Sequence, residues 1–252
     1  MSKRNTQLRR HAISNLVSEL GEVSVDELAQ KFETSEVTIR KDLASLEKNG
    51  QLLRRYGGAI AIPKEVIHEE LGANVSTRKL SLAKAAASLI RDHNRIVIDS
   101  GSTTAALIQQ LNDKRGLVVM TNSLHVANAL NELESEPTLL MTGGTWIRTQ
   151  SPFKAKAESV LRAYDFDQLF IGADGIDLER GTTTFNELVG LSKVMAEASR
   201  EVIVMIDPKK SGRKIPNLEL AWHQVDVLVT DADIQAEHKV QIEQHGVKVI
   251  CA

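Results

Sequence analysis

The apolar positions from Val23 to Ile62 fall into two short helical stripes and then a hairpin. Leu28 and Phe32 supply the inner face of a first helix that begins at Ser24, where the hydroxyl and Glu27, three residues on, form a capping-box pair. Ile39, Leu43 and Leu46 stand at i, i+4 and i+7 of a second helix that starts near Ser35, another good cap, and stops at Gly50. The run from Leu52 to Tyr56 then predicts a strand, Gly57-Gly58 a two-residue turn, and Ala59 to Ile62 the returning strand. Two helices meeting at a tight corner ahead of a hairpin predict a winged helix-turn-helix over residues 1–62. With the apolar stripe turned inward, Ser35, Glu36, Thr38, Arg40 and Lys41 lie at the end of the second helix that such a fold presents to base edges. Arg54, Arg55 and Tyr56 lie where a wing meets the sugar-phosphate backbone or the minor groove. Lys3, Arg4, Arg9 and Arg10 add charge before and at the start of the first helix. Double-stranded DNA is the expected partner, and ordinary solvated charge on a small helical domain is the alternative.

Residues 63–76, PKEVIHEELGANVS, are polar, mixed in charge and without period, and read as a linker. From 77 to 252 the pattern becomes apolar β-branched runs alternating with helix-period segments. Strands are expected at 95–99, 117–121, 138–142, 168–172, 202–207, 225–230 and 247–251. Helices are expected near 80–90, 104–111, 124–133, 155–164, 188–199 and 235–245. Strands apolar nearly throughout, with helices between them, predict an α/β domain built on a mostly parallel sheet covered on both faces.

Composition narrows the partners. The 252 residues leave about 190 for the second, well-cored domain. Formal net charge is -2, and residues 1–62 hold ten Lys/Arg against eight Asp/Glu, so no strongly basic domain exists. DNA affinity then has to come from a few placed cations, doubled in a homodimer or homotetramer. Cys251 is the lone cysteine and the seven histidines are scattered, so neither a disulfide framework nor a metal site is expected. The start MSKRNTQLRR has no apolar export core and no run approaches the roughly 18 apolar residues of a membrane span, which predicts a cytoplasmic protein.

In parallel sheets ligands bind beyond the carboxyl ends of the strands. Those ends here are small, hydroxylated and glycine-rich: Ser100-Gly101-Ser102-Thr103-Thr104, Asn122-Ser123, Gly143-Gly144-Thr145 and Ala173-Asp174-Gly175-Ile176-Asp177. A Ser/Gly/Thr loop that opens a helix offers free N–H groups, hydroxyl donors and the positive end of the dipole, which suit a phosphate. In isolation SGSTT reads equally as a tight strand-to-helix turn capped by Ser102 or Thr103. Four such loops on consecutive strands favour a pocket. Thr183 to Glu187, a helix carrying Lys193, and Asp207 to Arg213 extend the same rim; Asp174 and Glu187 suit sugar hydroxyls, and Lys or Arg suits a ligand phosphate. The alternative for the last stretch is that Asp207 caps a turn while Lys209, Lys210 and Arg213 are solvated.

The segments SEVTIRKDLASLEKNGQLLRRYGGAI, IDSGSTT, MTNSLHVANAL, MTGGT, FIGADGIDLERGTTTFNE and DPKKSGR, in that order, resemble the DeoR family of bacterial sugar-operon regulators over nearly the whole chain. The resemblance is strongest to members that control sugar-alcohol and amino-sugar uptake operons, such as the sorbitol and N-acetylgalactosamine regulators. It implies a second domain similar to ribose-5-phosphate isomerase and CoA-transferase-like folds, with a phosphorylated sugar or sugar alcohol as effector. It also implies that Thr38, Arg40 and Lys41 read or position DNA with help from Arg54 and Arg55. By the same resemblance, Asp99, Gly101, Ser102, Thr103 and Thr104 form a phosphate loop, while Asn122, Gly143, Gly144, Asp174, Gly175, Asn186, Glu187, Lys193 and Lys210 surround the sugar. The chain departs from the usual Asp-Ser-Ser-Lys-Phe-Gly-Arg at Asp207 to Arg213, losing the aromatic and gaining Pro208, while keeping the lysine at Lys210. An isomerase would need Asp174, Glu187 or Lys210 poised as acid or base and has no use for residues 1–62, so a repressor without catalysis, cofactor or metal is the expected function.

Overall fold

The computed structural model describes residues 3–48, 52–55, 57–60, 76–146, 153–154, 157–184, 190–213, 215 and 217–252, and it divides into two compact units, 1–73 and 74–252. The first unit runs α1 (Lys3–Leu20), β1 (Glu22–Ser24), α2 (Val25–Lys31), α3 (Glu36–Lys48), β2 (Leu53–Arg55) and β3 (Gly58–Ile60). The capping box at the start of α2 is complete: the Glu27 amide donates to Ser24 Oγ at 3.1 Å and the Ser24 amide donates to Glu27 Oε2 at 2.7 Å. Ser35 caps α3 through the Thr38 amide at 3.3 Å. Ile39, Leu43 and Leu46 are buried with Leu28, Leu52 and Ala59, and α1 adds Ile13 and Val17 to this core.

Three features depart from the sequence expectation. Helix α1 is new, because its fully buried apolar positions are only Ile13 and Val17, too few to signal a period in a polar segment. Strand β1 is three residues long and completes an antiparallel sheet of order β1-β3-β2. Gly58 belongs to β3 rather than to the turn, paired with both Ser24 and Arg55, and a Cβ there would stand 2.5 Å from the Val23 carbonyl oxygen. Gly50 and Tyr56, the expected stop of α3 and the end of the wing strand, lie outside the described residues.

The second unit runs α4 (Thr77–Ala87), β4 (Arg95–Ile98), α5 (Ser102–Ile108), β5 (Val118–Thr121), α6 (Leu124–Asn131), β6 (Thr138–Met141), β7 (Thr145–Trp146), β8 (Phe153–Lys154), α7 (Ala157–Leu161), β9 (Phe166–Gly172), β10 (Gly175–Asp177), β11 (Gly181–Thr184), α8 (Gly190–Glu197), β12 (Ser199–Met205), β13 (Asn217–Ala221), β14 (Val227–Thr230), α9 (Ala236–Gln244) and β15 (Lys248–Cys251). Seven strands make one parallel sheet in the order β15-β14-β12-β9-β4-β5-β6. Its strands alternate between two buried faces: Ile96, Ile98, Phe170, Ile203 and Val229 enter one core, while Val97, Leu169, Ile171, Val204 and Leu228 enter the other.

A second sheet, antiparallel and of order β10-β11-β13, has no counterpart in the sequence reading. Its strands are three to five residues long, and Gly181-Thr-Thr-Thr reads as polar loop, yet all four residues are buried. Opposite Thr182 and Thr183 the register shifts, Thr182 pairing with Leu220 and Thr183 with Leu218, so that Glu219 is the extra residue of a β-bulge.

Candidate functional site

In the first unit Ser35, Glu36, Arg40 and Lys41 are exposed at the amino half of α3 and Thr38 is half-buried beside them. The Thr38 hydroxyl is engaged with Ser35 Oγ at 2.9 Å, which ties it to the cap. Among the described residues of this unit the exposed arginines each have an acidic neighbour: Arg40 with Glu36 at 2.5 Å, Arg54 with Glu47 at 2.6 Å, and Arg55 with Glu22. Exposed pairs of this kind contribute about 0–1 kcal/mol, so exchanging a glutamate for a phosphate costs little. Arg9 and Arg10, expected as part of the DNA-facing charge, are instead bound to the buried Asp42 at 2.6 and 2.8 Å. Val37 was not foreseen; it is an apolar group 59% exposed on α3, beside Glu36, Arg40 and Lys41.

In the second unit the expected loops converge at the carboxyl ends of the parallel strands. Gly101 precedes α5 with φ +155°, a conformation that disfavours any side chain. Thr104 is fully buried, and its hydroxyl lies 2.9 Å from both the Asp99 and Gly101 carbonyls, so it braces the loop. Ser102 and Thr103 remain half-exposed. Asn122, buried at the end of β5, donates Nδ2 to Asp99 Oδ1 at 2.8 Å and accepts the Ser100 amide at 3.1 Å, which orients the carboxylate. Gly143 is half-buried and Gly144 exposed after β6. Lys210 reaches from the 3-10 turn Pro208–Lys210 to the Ala173 carbonyl at 3.1 Å, next to Asp174.

Gly175 is buried inside β10, and Lys193 is half-buried on α8. Asn186 and Glu187 lie outside the described residues. Asp207 does cap the turn, accepting the Lys209 amide at 2.9 Å, and Lys209 is exposed, whereas Lys210 is not simply solvated. A cavity of about 260 Å³ lined by Arg95, Tyr164, Asp165 and Arg200 sits at the opposite, amino ends of the strands.

Sequence reasoning missed three groups. Helix α4 starts three residues earlier than its pattern suggests, capped by Ser76, and this first turn carries Arg78 and Lys79 to the rim. Lys79 Nζ donates to Ser102 Oγ, and Arg78 pairs with Asp207, Asp231 and Asp233. The third is Glu219. The β-bulge turns it inward, so that Glu219 and Leu220 are both buried where a regular strand would alternate. Nothing in the run NLELA marks a bulge.

Burial pushes the Glu219 carboxyl up to about 8, with the nearby Asp99 and Asp174 charges adding to it against hydrogen bonds from Ser192 and Thr182. Burial likewise pushes Asp99 up to about 6, opposed by Asn122 and the Ser100 amide. A carboxyl raised from 4.5 to about 8 on folding keeps its proton in the folded state while the unfolded chain loses it. Stability is therefore full below pH 4.5 and falls as pH rises towards 8. Glu219→Gln is expected to remove that slope and to be the more stable protein at about pH 8, the gap closing towards about pH 5. Denaturant melts across this range measure it, and a variant less stable than the parent at the alkaline end would refute the assignment.

A winged helix carried with an α/β unit whose strand ends gather hydroxyls, lysines and acids defines a ligand-responsive DNA-binding regulator. Residues 9–65 match the DeoR-like helix-turn-helix domain and residues 74–232 match the DeoR C terminal sensor domain. The chain belongs to the DeoR family of transcriptional regulators. It is 38% identical over 97% of its length to a protein of Escherichia coli O157:H7 named as a putative aga operon transcriptional repressor, covering 93% of that protein. It is 30% identical to the regulator GlpR of Haloferax volcanii, covering 96% of each chain. Among solved structures, a ribose 5-phosphate isomerase A from Methanocaldococcus jannaschii is similar with a TM-score of 0.40 and 21% identity over 54% of this chain and 55% of that one.

Proposed function

We propose that this regulator represses a carbohydrate uptake or catabolism operon and that a phosphorylated sugar or sugar alcohol, held at the carboxyl ends of β4, β5, β6 and β9, modulates its grip on DNA. The observation that carries this reading is that Lys79 and Lys210, from elements far apart in the chain, reach the segments that follow the neighbouring strands β4 and β9, at Ser102 and at the Ala173 carbonyl. Two cations, the amides of the loop that opens α5 and the Ser102 and Thr103 hydroxyls suit a phosphate. Asp99 and Asp174 suit the hydroxyls of the carbon chain, with Glu187 and Asn186 belonging to the same set by sequence. Thermal-shift screening of the purified chain against sugar and sugar-alcohol phosphates tests this, since a ligand at 100 times its Kd adds about 2.7 kcal/mol. A panel without any stabilising member would refute it.

On the DNA side, Arg40, Lys41 and Val37 read bases while Ser35, Thr38, Arg54, Arg55 and Tyr56 position the duplex. Arg40→Ala and Lys41→Ala are each expected to weaken operator binding by about 1–3 kcal/mol where the side chain reads a base edge, with the fold intact. Gel-shift titration at fixed salt reads the weakening, and unchanged affinity in both variants would place base reading elsewhere. A first unit with so little net positive charge suits a homodimer or homotetramer on repeated half-sites in the cytoplasm. Light scattering of the protein with and without operator DNA tests the assembly.

A further inference from the structure

Helix α4 is anchored unevenly. Its buried side chains, Leu82, Ala83, Ala86 and Ala87, all lie beyond the first turn and enter one core of the second unit. The first turn, residues 76–79, buries no side chain. It is held instead by polar contacts with the segments that follow β4, β12 and β14, at the carboxyl end of the parallel sheet. Lys79 Nζ donates to Ser102 Oγ after β4. Arg78 pairs with Asp207 at 3.3 Å after β12, and with Asp231 at 3.3 Å and Asp233 at 2.5 Å after β14. Ser76 closes the turn, its Oγ accepting the Lys79 amide at 3.3 Å and its carbonyl the Leu80 amide at 3.1 Å. Helix ends fray because their terminal backbone groups lack partners within the helix, so polar contacts of this kind decide whether a first turn stays wound. In sequence, this turn is also where the chain arrives from residues 63–75, which follow the winged helix. One turn of helix therefore touches the proposed phosphate loop and continues directly into the connection to the DNA-binding unit.

We infer that the first turn of α4 is the switch that carries effector occupancy towards the DNA-binding unit, through a docked–frayed equilibrium that a bound phosphate shifts to the docked form. This rests on the reading of the strand ends as a phosphate site. Lys79 reaches the Ser102 loop only from the docked turn, so a phosphate held there binds the docked form better and raises its population. A bond from ammonium to phosphate carries charge on both sides and is stronger than one from ammonium to a hydroxyl, so the ligand adds to docking. Arg78 is a positioning residue: it holds the turn against the segments after β12 and β14 while Lys79 meets the phosphate. Fraying converts four residues from helix to extended chain, which lengthens the connection by up to about 8 Å. A connection of different length changes how readily the DNA-binding units of an assembly engage two half-sites together.

Hydrogen exchange of the full chain in inorganic phosphate, against chloride of equal ionic strength, tests the inference. Phosphate is expected to slow the amides of residues 101–105 and, by at least about threefold, those of 80–83, while 84–87 keep their rates. Arg78→Gln should speed exchange at 80–83 in chloride and raise the phosphate concentration needed to protect 101–105, because coupling is reciprocal. Arg78→Lys, which keeps a cation, should restore part of both. In gel shifts on operator DNA, phosphate should change the affinity of the parent protein, and Arg78→Gln in chloride should change it in the opposite sense, each by at least about threefold. Protection of 101–105 with 80–83 unchanged overturns this inference alone and leaves the phosphate site standing. Protection of both with operator affinity unmoved also overturns it, as does an Arg78→Gln protein whose operator affinity stays parental or moves with phosphate. If phosphate protects neither segment, the reading of the phosphate site falls with it. Exchange and gel shifts on the parent protein decide the matter even where the variant does not fold.

Discussion

Replacing Asp42 by alanine is expected to loosen the whole winged helix, at a cost of about 3 kcal/mol. Asp42 is 2% exposed on α3, and its two oxygens accept Arg9 Nε and Arg10 Nε from α1. Arg10 also donates Nη1 to Ser45 Oγ at 2.7 Å. Because Ile13 and Val17 are the fully buried apolar residues of α1, this bridge is a principal clasp between α1 and α3. Removing the carboxylate strands two guanidinium groups. Arg9 is 11% exposed and bears most of the cost, while Arg10, a third exposed, recovers part of its hydration, which keeps the loss at the lower end for a broken buried pair. Hydrogen exchange read by mass spectrometry should show α1 and α3 amides exchanging about a hundredfold faster. Trp146 and Trp222 both belong to the second unit, so the fluorescence-detected transition should stay where it is. Parental protection in α1 and α3 would show that the clasp is dispensable.

Gly101→Val is expected to separate the two functions of the chain, leaving operator binding in place while abolishing the response to effector. At φ +155° a β-branched residue is strained by about 1–3 kcal/mol, and its Cβ would stand 3.2 Å from Thr104 Oγ1, the hydroxyl that braces the loop. Relief of that strain has to move the Ser102 and Thr103 amides, the donors proposed for the phosphate. Ser102→Ala is the gentler companion: it removes one hydroxyl donor and the partner of Lys79 without touching the backbone. Loss of at least about tenfold in effector affinity is expected from Ser102→Ala, and more from Gly101→Val. Gel shifts with and without the cognate sugar phosphate read the functional consequence, and calorimetry reads the affinity. If Ser102→Ala binds the effector as tightly as the parent protein, SGSTT is only a strand-to-helix turn.

The two variants act on different chemistry, which makes them complementary. Asp42 matters because a charge is stranded where water cannot follow, and its effect should appear without ligand or DNA. Gly101 matters because a loop must hold one backbone shape, and its effect on DNA binding should appear only when the effector is added.

Periodicity was sufficient wherever one element buries a continuous face. The stripe Ile39, Leu43, Leu46 and the box Ser24–Glu27 are local patterns with one structural solution, and both are present as read. The parallel strands were equally legible, because β-branched runs such as RIVI and VLVT have to be buried on both sides. The phosphate-loop candidates followed from the composition of the strand ends. Contacts between distant segments were not legible. That Arg9 and Arg10 face Asp42 rather than DNA, and that Arg78 and Lys79 reach the loops at Asp207 and Ser102, depends on how helices pack, which residue identity does not announce. The antiparallel β10-β11-β13 sheet was hidden by its short, threonine-rich strands. Glu219 was hidden most completely, because a one-residue bulge reverses the face of a strand without altering its sequence. Local burial patterns determined the two folds. Only tertiary packing decided which charges are left to meet a ligand.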